Sequence, residues 1–282
     1  MDYQKLGLKI GLELHQQLNT KKLFCNCSSN MNEKNLIFSI KRRLRPVVGE
    51  MGDVDRAALF EFFRNRSFIY YGYENECCLV DMDDEPPHEI NSDALDMAVG
   101  VSLILGLDVP DELHVMRKTV LDGSAITSFQ RTLLVGYGCG KFNGVRIKSL
   151  CLEEDAAKPV KQEGNEITYS LSRLGIPLIE IATEPDIKTP EQCREVAENL
   201  GLLLRSFNVK RGIGTIRQDV NISIKNGARV EIKGWQDLKT LHKLIENEVL
   251  RQVNLLKIRD ELKKFKEKDF GDVVDVSEVF EC

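Results

Sequence analysis

Little in this 282-residue sequence points to a membrane or to export. No apolar run is long enough to cross a bilayer. The opening Met1-Asp2-Tyr3-Gln4-Lys5 lacks the basic-then-apolar order of a secretion signal. Histidine is scarce: there are four, none near a nucleophile-elbow sequence, which disfavours a Ser-His-Asp hydrolase. No Gly-x-x-x-x-Gly-Lys-Ser/Thr loop occurs, so a P-loop is excluded. Internal repeats and low-complexity tracts are also missing. So is an overall basic charge. The net charge is -5, and any contact with nucleic acid has to come from local basic patches such as Lys41-Arg42-Arg43-Leu44-Arg45.

What is present is a globular composition, 42% hydrophobic and 29% charged, long enough for one large domain or two small ones. Eight cysteines without an export signal argue for a reducing cytoplasm, free thiols and no membrane partner. Cys25, Cys27, Cys77 and Cys78 are enough in number for zinc. Adjacent Cys77 and Cys78, however, lack the two-residue spacer of a zinc knuckle, so buried free thiols rather than a structural zinc are expected.

The chemistry concentrates on strands that alternate. In residues 149–158, Leu150, Leu152 and Glu154 share one face, while Cys151, Glu153 and Asp155 share the other. The strand can bury its leucines and aim Glu153 elsewhere. Residues 8–15 place Ile10, Leu12 and Leu14 on one side, and Gly11, Glu13 and His15 on the other, a pattern that also suits a half-buried edge strand. Glu180 stands between Leu178 and Ala182 on its own face, where a carboxylate is costly unless paired or coordinated; Arg173 is the structural alternative as its partner. In residues 214–224, Thr215, Arg217, Asp219, Asn221 and Ser223 line one face. Ile216, Val220, Ile222 and Ile224 line the other, with Gln218 the exception. Arg229, Glu231 and Lys233 repeat the polar pattern after an Asn226-Gly227 turn.

The remaining pattern predicts helices over 53–65 (Leu59, Phe62 and Phe63 inward), from the Asn91-Ser92-Asp93 cap, after Thr189-Pro190, and over 237–259. Residues 112–118 read as a strand. Residues 133–135 and 145–152 read as a hairpin closed by the glycine-rich stretch 136–140. The polar loop 122–128, with Ser124 and the trailing Arg131, has the composition of a phosphate cradle. The fold expected is α+β, with a mixed, mainly antiparallel sheet. A polar sheet face carrying both signs of charge suits a metal–nucleotide site, where carboxylates hold Mg²⁺ and Arg and Lys steady phosphates.

Five ordered stretches carry a family resemblance: 11–18 (Gly-Leu-Glu-Leu-His-Gln-Gln-Leu), 152–158 (Leu-Glu-Glu-Asp-Ala-Ala-Lys), 173–181 (Arg-Leu-Gly-Ile-Pro-Leu-Ile-Glu-Ile), 217–221 (Arg-Gln-Asp-Val-Asn) and 230–233 (Val-Glu-Ile-Lys). Together they resemble the B/E subunits of tRNA-dependent amidotransferases. Residues 84–88, 123–124 and 128–132 are more similar to the E branch, the archaeal form acting on glutamyl-tRNA(Gln). The resemblance implies a cradle of glutamine synthetase-like type over 1–260, followed by a linker and the start of a truncated insert domain over 261–282. It implies γ-phosphorylation of tRNA-bound glutamate by ATP, then displacement of phosphate by ammonia from a partner, the asparaginase-like glutaminase that forms the D-type subunit of such enzymes. His15, Glu153 and Glu180 match the family's Mg²⁺ ligands. Glu13, Arg217, Asp219, Glu231 and Lys233 match residues lining the same cleft, and Ser124, Arg131, Arg217 and Lys233 are the expected nucleotide contacts. Two other readings stand beside it: a non-catalytic tRNA-binding or assembly module, and a small-molecule carboxylate kinase on the same fold. Joint presence of His15, Glu153 and Glu180 argues against the first.

Overall fold

The alternation of residues 8–15 becomes a strand in the middle of a sheet, not at its edge. The computed structural model describes residues 1–264 apart from 47, 49 and 50. Strand β1 (Lys9–Gln17) lies between β10 (Ile216–Ser223) and β9 (Pro177–Thr183), antiparallel to both. Added to these are β4 (Val115–Thr119), β5 (Phe129–Phe142), β6 (Val145–Glu154) and β11 (Val230–Trp235). They form a seven-stranded antiparallel sheet in the order β11-β10-β1-β9-β6-β5-β4. β10 pairs with β1 from Lys9 to Gln16 and β9 from Glu13 to Gln17, which fixes the register of what β1 carries.

One face of that sheet is apolar and covered by helices. Ile10, Leu12, Leu14, Leu150, Leu152, Ile179, Ile181, Val220 and Ile222 are buried there. Helix α3 (Pro190–Leu204) adds Cys193, Val196, Ala197, Leu200 and Leu204; α4 (Leu241–Leu262) adds Leu241, Ile245 and Val249. Truncating one such leucine to alanine costs roughly 2–5 kcal/mol. Helix α3 starts where the sequence says: the Thr189 hydroxyl accepts from the Gln192 backbone N–H at 3.1 Å, and Pro190 takes the first turn. Helix α2 (Ser92–Ile104), capped by Asn91, packs on β5 and β6. Helix α4 runs past the expected boundary at 260. Of the predicted linker and insert segment 261–282, residues 265–282 lie outside those described.

The chain also forms a second, four-stranded sheet. It pairs β2 (Leu36–Arg42), β3 (Ser67–Tyr73), β8 (Glu166–Ser170) and β7 (Lys158–Glu163), with β3 and β8 parallel. The basic cluster at Lys41 and Arg42 therefore ends a strand. Phe68, Tyr70, Tyr169 and Leu171 form its own small core, in which Tyr70 and Tyr169 stack with centroids 6.1 Å apart. The architecture is α+β with mixed strand directions, as the pattern implied.

Two expectations are corrected. The stretch 136–140 is not a turn: β5 passes straight through it, and the hairpin closes at Asn143-Gly144, both at positive φ. A Cβ at Gly136 would come within 2.6 Å of Ser102 Oγ, and one at Gly140 within 2.5 Å of the Leu105 carbonyl oxygen. Those glycines let α2 approach the sheet. Helix α1 (Arg56–Phe63) is shorter than predicted and buries none of its residues; Leu59 and Phe63 are exposed. Its apolar spacing suggests a core face, yet no neighbouring element covers it among the described residues.

Candidate active site

The face of the large sheet opposite the helices gathers its charge in two adjoining groups. On β1 and β9, His15 stands opposite Glu180, and on the neighbouring pair Cys151 stands opposite Glu180, so Glu153 lies one alternation further along. His15 Nε2 is 3.3 Å from Glu180 Oε2. Ligand atoms of His15, Glu153 and Glu180 all lie within 4.8 Å of one another. Glu153 is 2% exposed. Its oxygens accept from Thr132 Oγ1 at 2.9 Å, Gln130 Nε2 at 3.1 Å and Lys118 Nζ at 3.1 Å. Lys118 also reaches to 3.9 Å from Glu180.

Electrostatics set the character of this group. Burial and the charge of Glu180 hold the Glu153 carboxyl above its usual range, although Lys118 and Thr132 pull the other way. Burial also works against the charged forms of His15 and Glu180. Their mutual hydrogen bond prevails, raising the imidazole and lowering the carboxyl. A carboxylate forced upward beside an ionised one marks a place short of positive charge. Two carboxylates and an imidazole converging there suit a divalent cation that also takes phosphate oxygens.

The second group sits two residues along β1. Glu13 faces Asp219 on β10, and Asn221 faces Glu231 on β11. Ligand atoms of Glu13, Asp219 and Glu231 again lie within 4.8 Å of one another. Asn221 Nδ2 donates to Glu13 at 3.1 Å, and the Gly234 backbone N–H donates to Asp219 at 2.6 Å. Lys233 Nζ lies 3.1 Å from Glu231 and 3.8 Å from Asp219. Burial, then the charges of Glu180, Glu231 and Asp219, push the Glu13 carboxyl up. Each acid is steered by a neighbour, and the row of charge continues that of the first group.

Other residues stand apart. Arg217 pairs with Asp155 at 3.4 Å, and Asp155 also accepts from Gln17 Nε2 at 2.6 Å. Arg173 does not pair with Glu180; it donates to the Ala156 and Ala157 carbonyls at 2.7 and 2.9 Å. Arg131 is one of the expected nucleotide contacts. It leaves β5 on the side opposite Thr132, where it pairs with buried Glu154 at 3.1 Å and stacks on Phe24 and Phe129. The Ser124 hydroxyl donates to Asp122 at 2.6 Å and touches neither acidic group. Lys118 carries no signal in the sequence. It lies on β4, whose five residues are all exposed, so no alternation singles it out.

Away from the sheet face, Cys25, Cys27, Cys78 and Asp81 bring ligand atoms within 4.8 Å of one another. Cys77, which the spacing argument counted, instead joins the Phe68–Tyr70 core. The seven described cysteines are free. Asp81 is held by Lys22 Nζ at 3.1 Å, with both side chains buried. Among the described residues, no helix is long and apolar enough to cross a membrane.

Residues 8–274 match the family model of the GatB/GatE catalytic domain. The chain is similar to the E-type subunit of the glutamyl-tRNA(Gln) amidotransferase of Methanocaldococcus jannaschii, with 51% identity over 285 residues, covering 99% of this chain and 45% of that protein. For the same subunit of Methanopyrus kandleri the figures are 52% over 294 residues, 100% and 46%. For that of Archaeoglobus fulgidus they are 54% over 290 residues, 99% and 46%. The chain spans about half the length of the curated relatives it matches.

Proposed function

Because the chain belongs to the GatB/GatE catalytic domain family, we propose that it is the catalytic portion of an amidotransferase that converts glutamyl-tRNA(Gln) to glutaminyl-tRNA(Gln) with ATP. The reaction inferred has two steps. The γ-carboxylate of the tRNA-borne glutamate takes the terminal phosphoryl group of ATP, and ammonia then displaces phosphate. An asparaginase-like glutaminase partner supplies the ammonia, and the site of action is the cytoplasm. The two sheets and their helices over 1–260 form the cradle of glutamine synthetase-like type in this reading.

The observation that carries it is the convergence of His15, Glu153 and Glu180 on one sheet face, beside a second row of acids and Lys233. These three are the Mg²⁺ ligands in our reading; when bound, Mg²⁺ neutralises charge on the transferring phosphoryl group. Lys118 lies within reach of the same oxygens and can steady an anionic phosphate or acyl phosphate. Lys233 offers a second cation at the far end of the row, with Glu231 and Asp219 orienting it. Arg217 serves this face from the Asp155 side. Asn221 fixes the Glu13 carboxylate so that it lines the cleft in one orientation.

The test supplies this chain with glutamyl-tRNA(Gln), ATP, Mg²⁺ and ammonium chloride, which bypasses the glutaminase. Glutaminyl-tRNA(Gln) formed only when ATP and Mg²⁺ are both present supports the proposal. ATP hydrolysis indifferent to the charged tRNA would favour the small-molecule kinase reading. Tight tRNA binding with no chemistry would favour the assembly module.

A further inference from the structure

One residue breaks the apolar face of β10, and nothing in the transfer reaction uses it. Gln218 lies among Ile216, Val220 and Ile222, on the side of the sheet away from His15 and Glu180. It is 1% exposed, and among the described residues its Oε1 has no hydrogen-bond donor. A buried amide oxygen without a partner is costly and rare. Gln218 also lines a cavity of about 640 Å³, within the size range of small-ligand sites.

The walls of that cavity have definite chemistry. Arg205, at the C-terminal end of α3, and Arg211, on the loop before β10, both line it. Among the described residues, the one acid in the lining, Glu198, is already answered by Arg194 at 3.2 Å. Leu202, Ile216 and Leu238 supply an apolar wall. The loop is held from below: the buried Gln16 Nε2 donates to the Lys210 and Thr215 carbonyls at 3.0 and 3.2 Å. Gly212 and Gly214, both at positive φ with open space where a Cβ would stand, leave the loop backbone accessible. The cavity therefore joins two guanidinium groups, an apolar slot and an amide oxygen in need of a donor.

We propose that this cavity binds a nucleotide: its phosphate at Arg205 and Arg211, its base against the apolar wall, and an exocyclic amine donating to Gln218 Oε1. Guanidinium groups are the favoured partners of phosphate, and a Gln side chain pairs with the amine edge of adenine. Rotation of the terminal amide is soft, so Gln218 can turn its oxygen to the ligand. A free nucleoside monophosphate and a nucleotide within an RNA strand offer the same chemistry. The site is distinct from the phosphoryl-transfer face, because the sheet lies between them.

Calorimetric titration of the chain without Mg²⁺ tests this, with adenosine 5′-monophosphate, purine riboside 5′-monophosphate (which lacks the amine) and an oligoadenylate hexamer as probes. Either adenine probe should bind, and adenosine 5′-monophosphate should bind about tenfold tighter than purine riboside 5′-monophosphate, the scale of one hydrogen bond. Q218L should erase that preference, R211A should weaken every nucleotide, and Glu180→Gln should change nothing. The tighter of the monophosphate and the hexamer identifies the source. R211A changes an exposed loop, so it reads binding even if Q218L fails to fold. No binding at millimolar probe overturns the proposal. So does binding that ignores both variants, or binding that Glu180→Gln abolishes. The readout is independent of phosphoryl transfer, so failure here leaves the proposed reaction untouched, and the reverse holds.

Discussion

His15 and Glu180 face each other across the β1–β9 pair, with Nε2 3.3 Å from Oε2, and Glu153 completes a triangle of ligand atoms with them. The exchange Glu180→Gln keeps the size of the side chain and removes the charge that pairs with His15 and that, in the reading proposed, holds the Mg²⁺. Phosphoryl transfer should fall by about a hundredfold or more, the scale of losing one group that stabilises developing charge. The melting temperature should move little. Single-turnover ADP formation beside a thermal melt checks both, and a wild-type rate would remove Glu180 from the site.

Lys118 shares its carboxylate partners with any bound cation. Lys118→Ala should therefore tighten Mn²⁺ or Mg²⁺ binding about fivefold in the absence of nucleotide, since a partly exposed ion pair is worth about 1 kcal/mol. In the full reaction the same variant should lose rate, because a cation near the phosphate is gone. Metal titration followed by turnover measurement separates the two effects. Unchanged metal affinity would show that Lys118 does not compete.

The Lys22–Asp81 pair is buried on both sides, and Lys22 Nζ also donates to the Leu171 carbonyl at 3.0 Å. Replacing Lys22 by Met leaves the buried Asp81 carboxyl, which burial already holds above its usual range, without its cation. The expected loss is about 3–5 kcal/mol in urea unfolding at neutral pH. The double variant with Asp81→Asn should recover much of it. A single variant as stable as wild type would contradict the assignment.

Lys210 is half-buried, and burial draws its ammonium down to about 8, although Asp155 and Glu76 oppose the shift. Its folded value is thus below the unfolded one, near 10.4. Between these values the unfolded chain binds more protons, so this group adds stability as pH rises from about 8 to about 10.4 and withdraws it as pH falls back. The stability of wild type relative to Lys210→Met should climb across that window. A flat difference between pH 7.5 and pH 10 would show an ordinary lysine.

Alternation made much of this site legible, because a regular strand sends every second side chain to one face. Glu13, His15, Glu153, Glu180, Asp219 and Glu231 could be placed on one face in this way, and the structure brings them together in two groups. Loop composition, not alternation, points to Arg131, and β5 directs that side chain towards Glu154. Lys118 carried no signal, since every residue of β4 is exposed. Gly136 and Gly140 have turn chemistry, yet their role is steric, and only the position of α2 reveals it. Helix α1 shows the opposite case: apolar spacing predicts a face, not the presence of something to cover it. The four donors at Cys25, Cys27, Cys78 and Asp81 were hidden because Asp81 stands where spacing rules look for a cysteine.

In the reading proposed, this sheet face moves phosphate from ATP to a carboxylate carried on tRNA. The most direct measurement follows γ-labelled ATP mixed with the chain, Mg²⁺ and glutamyl-tRNA(Gln), with no ammonia present. In wild type, label should appear on the aminoacyl-tRNA and be discharged as phosphate when ammonium is added; in the Glu180→Gln variant it should be absent. Label that never reaches the tRNA, or that reaches it equally in the variant, would contradict that reading.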